Sequence, residues 1–248
     1  QDRQMILLLD IGNSTLNWGW LSDGEIVNSS WADHDGGFSE KTLEGIDTVE
    51  PAERVLCVNV AGEQVGDMVE TWSRSEHGVD CEFVVSEKRN HGVTNAYDDP
   101  DELGDDRWAA MIGAWSMFGG PVCVVDAGTA LTVDAIDENG RHLGGVITPG
   151  LTLMQDSLLD RTAGINKAHG SASEPFASGT AAGVRSGAQF ALAALIERQA
   201  HALETLSDAV PLIVMTGGDA PVLAEYVHGQ VELVPDLVLR GLAVAAKA

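Results

Sequence analysis

A chain of 248 residues with 44% hydrophobic side chains has room for one large domain or two ordinary ones around a proper core. Its net charge of −24, from 38 acidic against 14 basic residues, argues against nucleic-acid binding, which needs clustered Lys and Arg. No apolar stretch approaches the roughly 20 residues that span a bilayer, and Gln1-Asp2-Arg3-Gln4 opens no signal-peptide apolar core, so no membrane is expected and cytoplasm is the expected compartment.

Three cysteines, Cys57, Cys81 and Cys123, are odd in number and far apart in sequence, and read as buried free thiols. The seven histidines show no metal-ligand spacing, so a zinc site is not expected. The acidity reads as a highly solvated surface suited to a salty cytoplasm. Against that background each basic residue stands out, and Arg107 does so most, among nearby acids.

In chain order, Met5-Ile6-Leu7-Leu8-Leu9 is a strand that runs into Asp10-Ile11-Gly12-Asn13-Ser14-Thr15. Residues 16–21 and 25–27 are strands joined at Ser22-Asp23-Gly24, a hairpin signal. Residues 55–60 read as a strand, 64–73 as a helix and 82–86 as a strand. Residues 87–105, polar and rich in Gly, Pro and Asp, read as a long loop, and a loop of that length is usually functional or disordered. Residues 107–118 have amphipathic helical spacing, with Trp108, Met111, Ile112 and Trp115 on one face.

Gly119-Gly120-Pro121 is the natural boundary, giving domains 1–119 and 120–248. Val122-Cys123-Val124-Val125 then runs into Asp126-Ala127-Gly128-Thr129-Ala130, and strands at 131–136 and 143–147 flank Asn139-Gly140. A helix at 151–159 has its cap near Thr152; a polar loop covers 160–179; a long Ala-rich helix covers 180–206, with Thr180 as a helix N-terminal hydroxyl. Ile213-Val214-Met215 is a strand leading into Thr216-Gly217-Gly218-Asp219, and a short helix, a strand at 231–233 and a helix from Leu237 follow. Strands alternating with helices, with a hairpin opening each half, give mixed α/β.

The same unit occurs twice: strand, Asp-x-Gly, hydroxyl, hairpin. A glycine after a strand lets backbone N–H groups approach an anion, and a Ser or Thr adds a donor. The Asp repels phosphate but holds a cation that faces it. Two such copies imply two related half-domains with a cleft between them. Gly104-Asp105-Asp106-Arg107 meets a helix N-terminus; Asp105 offsets the helix dipole there, whereas Arg107 opposes it. A carboxylate base beside a guanidinium suits removal of a hydroxyl proton during phosphoryl transfer. Tyr97, one of two tyrosines, lies in the polar loop as a candidate binding residue. No Walker A and no G-x-G-x-x-G sequence is present.

Together these segments resemble the actin-like ATPase superfamily, and within it type III pantothenate kinase. The carrying stretches are residues 10–15, 92–97, 104–108, 126–132, 144–150, 180–187, 216–218 and 236–242, in family order. The resemblance implies two ribonuclease-H-like half-domains with mixed sheets flanked by helices, and ATP-dependent phosphorylation of pantothenate at the first step of coenzyme A synthesis. It implies that Asp10, Ile11, Gly12, Asn13, Ser14, Thr15, Leu16 and Asn17, with Thr129, bind ATP. It implies Asp106 as the catalytic base, and Tyr97, Gly104, Asp105, Asp106, Arg107 and Thr180 around pantothenate, Thr180 reaching in from the partner of a homodimer. Asp126 would hold K⁺ or NH₄⁺, and Mg²⁺ would arrive with the nucleotide. Ser14 stands where the family usually has Thr, with the hydroxyl kept, and residues 163–178 depart from the family pattern. The alternatives are a non-catalytic regulatory relative with the same fold, or a kinase for another small hydroxy acid whose pocket residues 87–107 would shape.

Overall fold

The computed structural model describes residues 5–35, 37–46, 51–162 and 174–247. The first half contains β1 (Met5–Ile11), β2 (Thr15–Ser22), β3 (Glu25–Asp33), α1 (Glu40–Glu44), β4 (Arg54–Asn59), α2 (Glu63–Glu76), β5 (Cys81–Phe83), β6 (Arg89–Asn90), β7 (Val93–Thr94) and α3 (Asp105–Phe118). The second contains β8 (Val122–Ala127), β9 (Ala130–Ile136), β10 (His142–Pro149), α4 (Leu151–Arg161), α5 (Thr180–Ser207), β11 (Leu212–Thr216), α6 (Ala220–Ala224), β12 (Gln230–Leu233) and α7 (Leu237–Ala245).

The repeat seen in the sequence is a repeat in topology. One five-stranded sheet has the order β3-β2-β1-β4-β5 and the other β10-β9-β8-β11-β12. In each, the first three strands in chain order form an antiparallel meander and the last two add in parallel to its first strand. β1 and β8 are therefore central and apolar nearly throughout, as a strand covered on both faces must be. The β2–β3 turn is made by Asp23 at φ 53° and Gly24 at φ 86°, the paired positive values that match strand twist in a two-residue hairpin.

Two compact units result: Gln1–Met117 with Asp236–Ala248, and Phe118–Pro235. The first core gathers Leu7, Leu9, Ile11, Trp18, Trp20 and Val55. The second gathers Val125, Leu131, Val133, Leu192, Ile196 and Met215. The sequence boundary groups 236–248 with the second half, whereas α7 packs on β1, β2, β3 and β4 of the first sheet. Its residues Leu237, Val238, Leu239 and Leu242 are all buried there. All three cysteines are free and buried, as expected. Burial pushes the Cys123 thiol up to about 12, and burial followed by its neighbour Cys81 pushes Cys57 well above the usual range.

Two expectations change. Residues 87–105 are not one long loop; they hold the β6–β7 hairpin and a single 3₁₀ turn at Pro100–Glu102. Short strands of two residues lie below what hydrophobic alternation can signal. Nor is α3 amphipathic: every residue from 107 to 114 is buried. The Trp108–Met111–Ile112 face is the expected one. The opposite side is closed by Ala109, Ala110, Gly113 and Ala114, small residues that let α7 come close.

That approach is backbone against backbone. A Cβ on Gly113 would lie 2.6 Å from Leu237 O and 3.0 Å from Gly241 N, and one on Gly241 would run into Ala109 O. Gly241→Ala therefore forces the two helices apart and should lower stability by about 1–3 kcal/mol, the usual cost of overpacking. Urea unfolding checks it: the midpoint falls while the slope stays the same, and an unchanged midpoint would mean the crossing is loose.

Candidate functional site

The first Asp-x-Gly motif sits where β1 hands over to β2. Asp10 is buried near the end of β1 and pairs in register with Asn17, whose Nδ2 donates to Asp10 Oδ2 at 3.0 Å. Ile11 and Leu16 are buried and anchor the two sides of the turn. Between them Gly12 N–H donates to Thr15 O at 2.9 Å, Asn13 is exposed, and Ser14 and Thr15 are half-buried. The turn's carbonyls are drawn toward the end of β3: His34 N–H donates to Ser14 O at 2.8 Å, and its ring Nε2 lies 3.1 Å from Gly12 O. Facing a carbonyl, that nitrogen carries the proton. Holding the carbonyls back is what a loop needs if its N–H groups are to face an anion. His34 had no signal in the sequence, because the hairpin alone brings it next to Gly12.

The second group stands at the start of α3. Asp105 Oδ1 accepts the N–H of Ser86 at 2.7 Å, and Ser86 Oγ donates to Leu103 O at 2.9 Å, so Asp105 braces the chain entering the helix. Asp106 Oδ1 accepts the Arg107 N–H at 2.7 Å. Gly104 makes room for that carboxylate, since a Cβ there would lie 2.7 Å from it. Burial pushes the Asp106 carboxyl up, against the lowering by the Arg107 N–H and charge, while Asp105 adds to the rise. Arg107 is 6% exposed, its Nη1 3.4 Å from Tyr97 Oη and its guanidinium carbon 5.9 Å from the centre of the Tyr97 ring. Tyr97 is held by its own backbone: its N–H donates to Asn95 Oδ1 at 3.0 Å and its carbonyl accepts from Lys88 Nζ at 2.7 Å. The structure thus brings Tyr97, Gly104, Asp105, Asp106 and Arg107 into one group.

In the second unit Asp126 ends β8, half-buried, and pairs with Thr132 on β9 and Thr216 on β11. Gly128 N–H donates to Ala130 O at 3.1 Å, which leaves Thr129 at the exposed tip. Two glycines grip this turn. Gly150 N–H donates to Thr129 O at 2.9 Å, and a Cβ at Gly150 would run into Gly128 O. Gly217, at φ +91°, packs so close that a Cβ would lie 2.5 Å from Ala127 O and 2.6 Å from Asp126 Oδ1. Among the described residues no three His, Cys, Asp or Glu side chains converge as a metal cluster. Asp10 and Asp126 are each a single strand-end carboxylate. A single such carboxylate fits an ion carried largely on nucleotide phosphates, as Mg²⁺ usually is.

Thr180 occupies a different part of that unit. It is the first residue of α5, with Gly179 at the cap, so its hydroxyl stands at the helix N-terminus as expected. With Met154, Leu158, Gly183, Val184, Gly187 and Ala188 it lines an open groove of about 340 Å³ between α4 and α5. The cap of α4 is likewise Gly150, not the Thr152 region. Of the divergent segment 163–178, residues 163–173 lie outside the described residues.

Known proteins share this plan. The type III pantothenate kinase family matches residues 6–202. A type III pantothenate kinase from Nitrosococcus oceani is 36% identical, covering 98% of this chain and 94% of its own. Among solved structures, a conserved Baf family protein from Campylobacter jejuni, named as a transcriptional activator, aligns with a TM-score of 0.64 at 22% identity over 97% of this chain and 98% of its own. A protein from Sinorhizobium meliloti named for 2-dehydro-3-deoxygalactonokinase aligns with a TM-score of 0.62 at 14% identity over 98% and 96%. At those identities the two structures speak for the fold alone. Fold, motif order and near full-length similarity agree, and the chain belongs to the type III pantothenate kinase family.

Proposed function

We propose that this enzyme transfers the terminal phosphoryl group of ATP to the hydroxyl of pantothenate, giving 4′-phosphopantothenate at the first step of coenzyme A synthesis. The observation that carries the reading is Asp106, a desolvated carboxylate in the first turn of α3, one residue from a buried guanidinium. Full-length similarity to relatives named type III pantothenate kinase supports the choice of substrate. Desolvation raises the basicity of Asp106, so it takes the hydroxyl proton as the oxygen attacks phosphorus and the bond to the leaving ADP oxygen breaks. Arg107 and Tyr97 bind and orient the pantothenate anion, with Gly104 and Asp105 shaping the wall. Residues 10–17 and Thr129 hold the nucleotide phosphates through backbone and hydroxyl donors. Asp126 would hold a monovalent cation which, with Mg²⁺ brought by the nucleotide, would supply countercharge to those phosphates. The intact Asp10, Asp106, Arg107, Asp126 and Thr129 favour catalysis over a purely regulatory role.

The homodimer belongs to the same reading. The apolar stripe of α5 is mostly spent within the subunit: Val184, Ala188, Leu192 and Ile196 are buried, and the last three join the second core. The outer face is the better candidate, with Gly183, Gly187, Ala191 and Ala194 exposed beside the α4–α5 groove and Leu153 and Leu158 exposed on α4. Small residues there admit a partner helix closely, and Thr180 on the groove would reach the partner's substrate.

Asp106→Asn tests the assignment in two directions. Turnover should fall by about 10²–10⁴, the usual loss of a general base. Stability should rise at neutral pH. A carboxyl whose folded pKa is raised contributes stability below its unfolded value, near 4, and that contribution is lost as pH rises through the folded value. At pH 7 the buried charge therefore opposes folding, and its removal should raise Tm, with the gain vanishing below about pH 4. Near-normal turnover would remove Asp106 from the mechanism.

Activity should need K⁺ or NH₄⁺ and fail in Na⁺ at matched ionic strength, with spectroscopic melts in each salt as the control. Activity that follows the melts and ignores the cation would overturn the Asp126 assignment.

For the dimer, inactive Asp106→Asn and inactive Thr180→Arg subunits should recover activity when mixed. At −24 per subunit, association should tighten as salt screens repulsion, over roughly 10 Å at 0.1 M. A stable, active monomer by light scattering would contradict it.

A further inference from the structure

His34 and Asp35, just past β3, aim three N–H groups at two carbonyls of the turn between β1 and β2. Ser14 O accepts the N–H of His34 at 2.8 Å and that of Asp35 at 3.2 Å. Gly12 O accepts from His34 Nε2 at 3.1 Å. Asp35 joins because it adopts φ 46°, which folds the chain back at that point. The imidazole is held from another side as well. It meets Phe38 edge-on, with ring centroids 5.2 Å apart, and Phe38 packs on the first core. Its Nδ1 is buried with no hydrogen-bond partner among the described residues. A proton on Nδ1 would gain nothing there, whereas a proton on Nε2 makes the bond to Gly12 O, so the ring stands in its Nε2–H form.

The Gly12 carbonyl belongs to the same rigid unit as the Asn13 N–H. A trans peptide is planar, and its C=O and N–H point to opposite sides. With Gly12 O turned to His34, the Asn13 N–H faces the other way, and Asn13 is exposed. We propose that His34 is a positioning residue for the nucleotide: its Nε2–H locks the Gly12–Asn13 peptide so that the Asn13 N–H donates to a phosphate oxygen. The proposal rests on the reading of residues 10–17 as the phosphate-binding turn. Glycine makes such a lock necessary. Without a Cβ at Gly12 the adjoining peptide rotates at little cost, and an unclamped turn can present its carbonyl to the anion. That exchange replaces an attractive dipole by a repulsive one. His34 touches neither the phosphates nor the reacting atoms in this account; it acts through one peptide.

The test uses the purified full chain and three readouts: calorimetric binding of ADP with Mg²⁺, the KM for pantothenate, and the melting temperature. Two amide variants separate the hydrogen bond from the ring. The amide nitrogen of His34→Gln reaches as far from Cβ as Nε2 does, whereas that of His34→Asn stops where Nδ1 stands. His34→Asn should weaken ADP by about three- to tenfold, as the loss of one neutral hydrogen bond does, and leave the pantothenate KM within about twofold. His34→Gln should keep ADP affinity within about twofold of the unchanged chain. An Asn variant that binds ADP normally would overturn the proposal, as would a Gln variant no better than Asn, or a melting temperature that drops with ADP affinity unchanged. Should neither variant fold, long-range proton–nitrogen NMR of the unchanged chain reads the tautomer: Nε2–H is expected, and Nδ1–H would contradict the lock. Amide NMR separates the two layers. Adding ADP with Mg²⁺ to the unchanged chain should shift the Asn13 N–H signal. If it shifts while His34→Asn binds ADP normally, only the positioning role fails; if it stays fixed, the nucleotide reading of the turn fails and takes the proposal with it.

Discussion

The contact between Gly113 and Gly241 sets the conditions for the chemistry. Because neither carries a side chain, α3 and α7 meet backbone to backbone, and residues 107–114 of α3 end up enclosed on every side. A helix packed that tightly draws its first turn partly out of water: Arg107 is buried, and Asp105 and Asp106 are half-buried. Asp106 and Arg107 are polar residues of that turn to which the proposed mechanism assigns work, and burial weighs on both, on Asp106 at an electrostatic cost that the surrounding packing must offset. The site is thus a local disagreement with folding, sustained by an apolar helix crossing whose only evident purpose is to be close.

The second unit solves a related problem by different means. Its motif turn is exposed at Thr129 and has little apolar packing of its own. Order comes from Gly150 and Gly217 pressed on the turn's backbone, and from hydrogen bonds at Thr129 O and Ala127 O. In the first unit the matching turn is held by carbonyl contacts with His34 instead. The topology of the two sheets is the same, while the bracing of the two turns is not. Repetition conserved the strand order and left the support of each turn to whichever residues the surroundings offered.

What could be read from the sequence follows from range of interaction. The two Asp-x-Gly turns, both hairpins and the central strands were legible, because strand runs, Asp23-Gly24 and Asn139-Gly140 are local signals. The grouping of Tyr97 with residues 104–107 came from a family resemblance and is met in the structure. The β6–β7 hairpin was not legible, since two-residue strands carry no periodicity. The enclosure of α3 was missed because a face of Ala and Gly looks polar-neutral to a pattern search until a partner helix covers it. The place of α7 in the first unit was missed for the same reason: sequence proximity groups it with β12, and only the fit of Gly241 against Ala109 takes it elsewhere. His34 and Gly150 act across long separations in sequence, on backbone atoms that carry no residue-specific mark.

The central claim is that the enclosed carboxylate at the head of α3 serves a pantothenate hydroxyl. The most direct measurement is ADP release by the purified chain with ATP over a panel of small hydroxy acids, with phosphorus NMR of the product. The account predicts release that depends on pantothenate and a phosphate ester at its 4′ oxygen. Pantothenate-independent release, or turnover of another hydroxy acid with none of pantothenate, would contradict it.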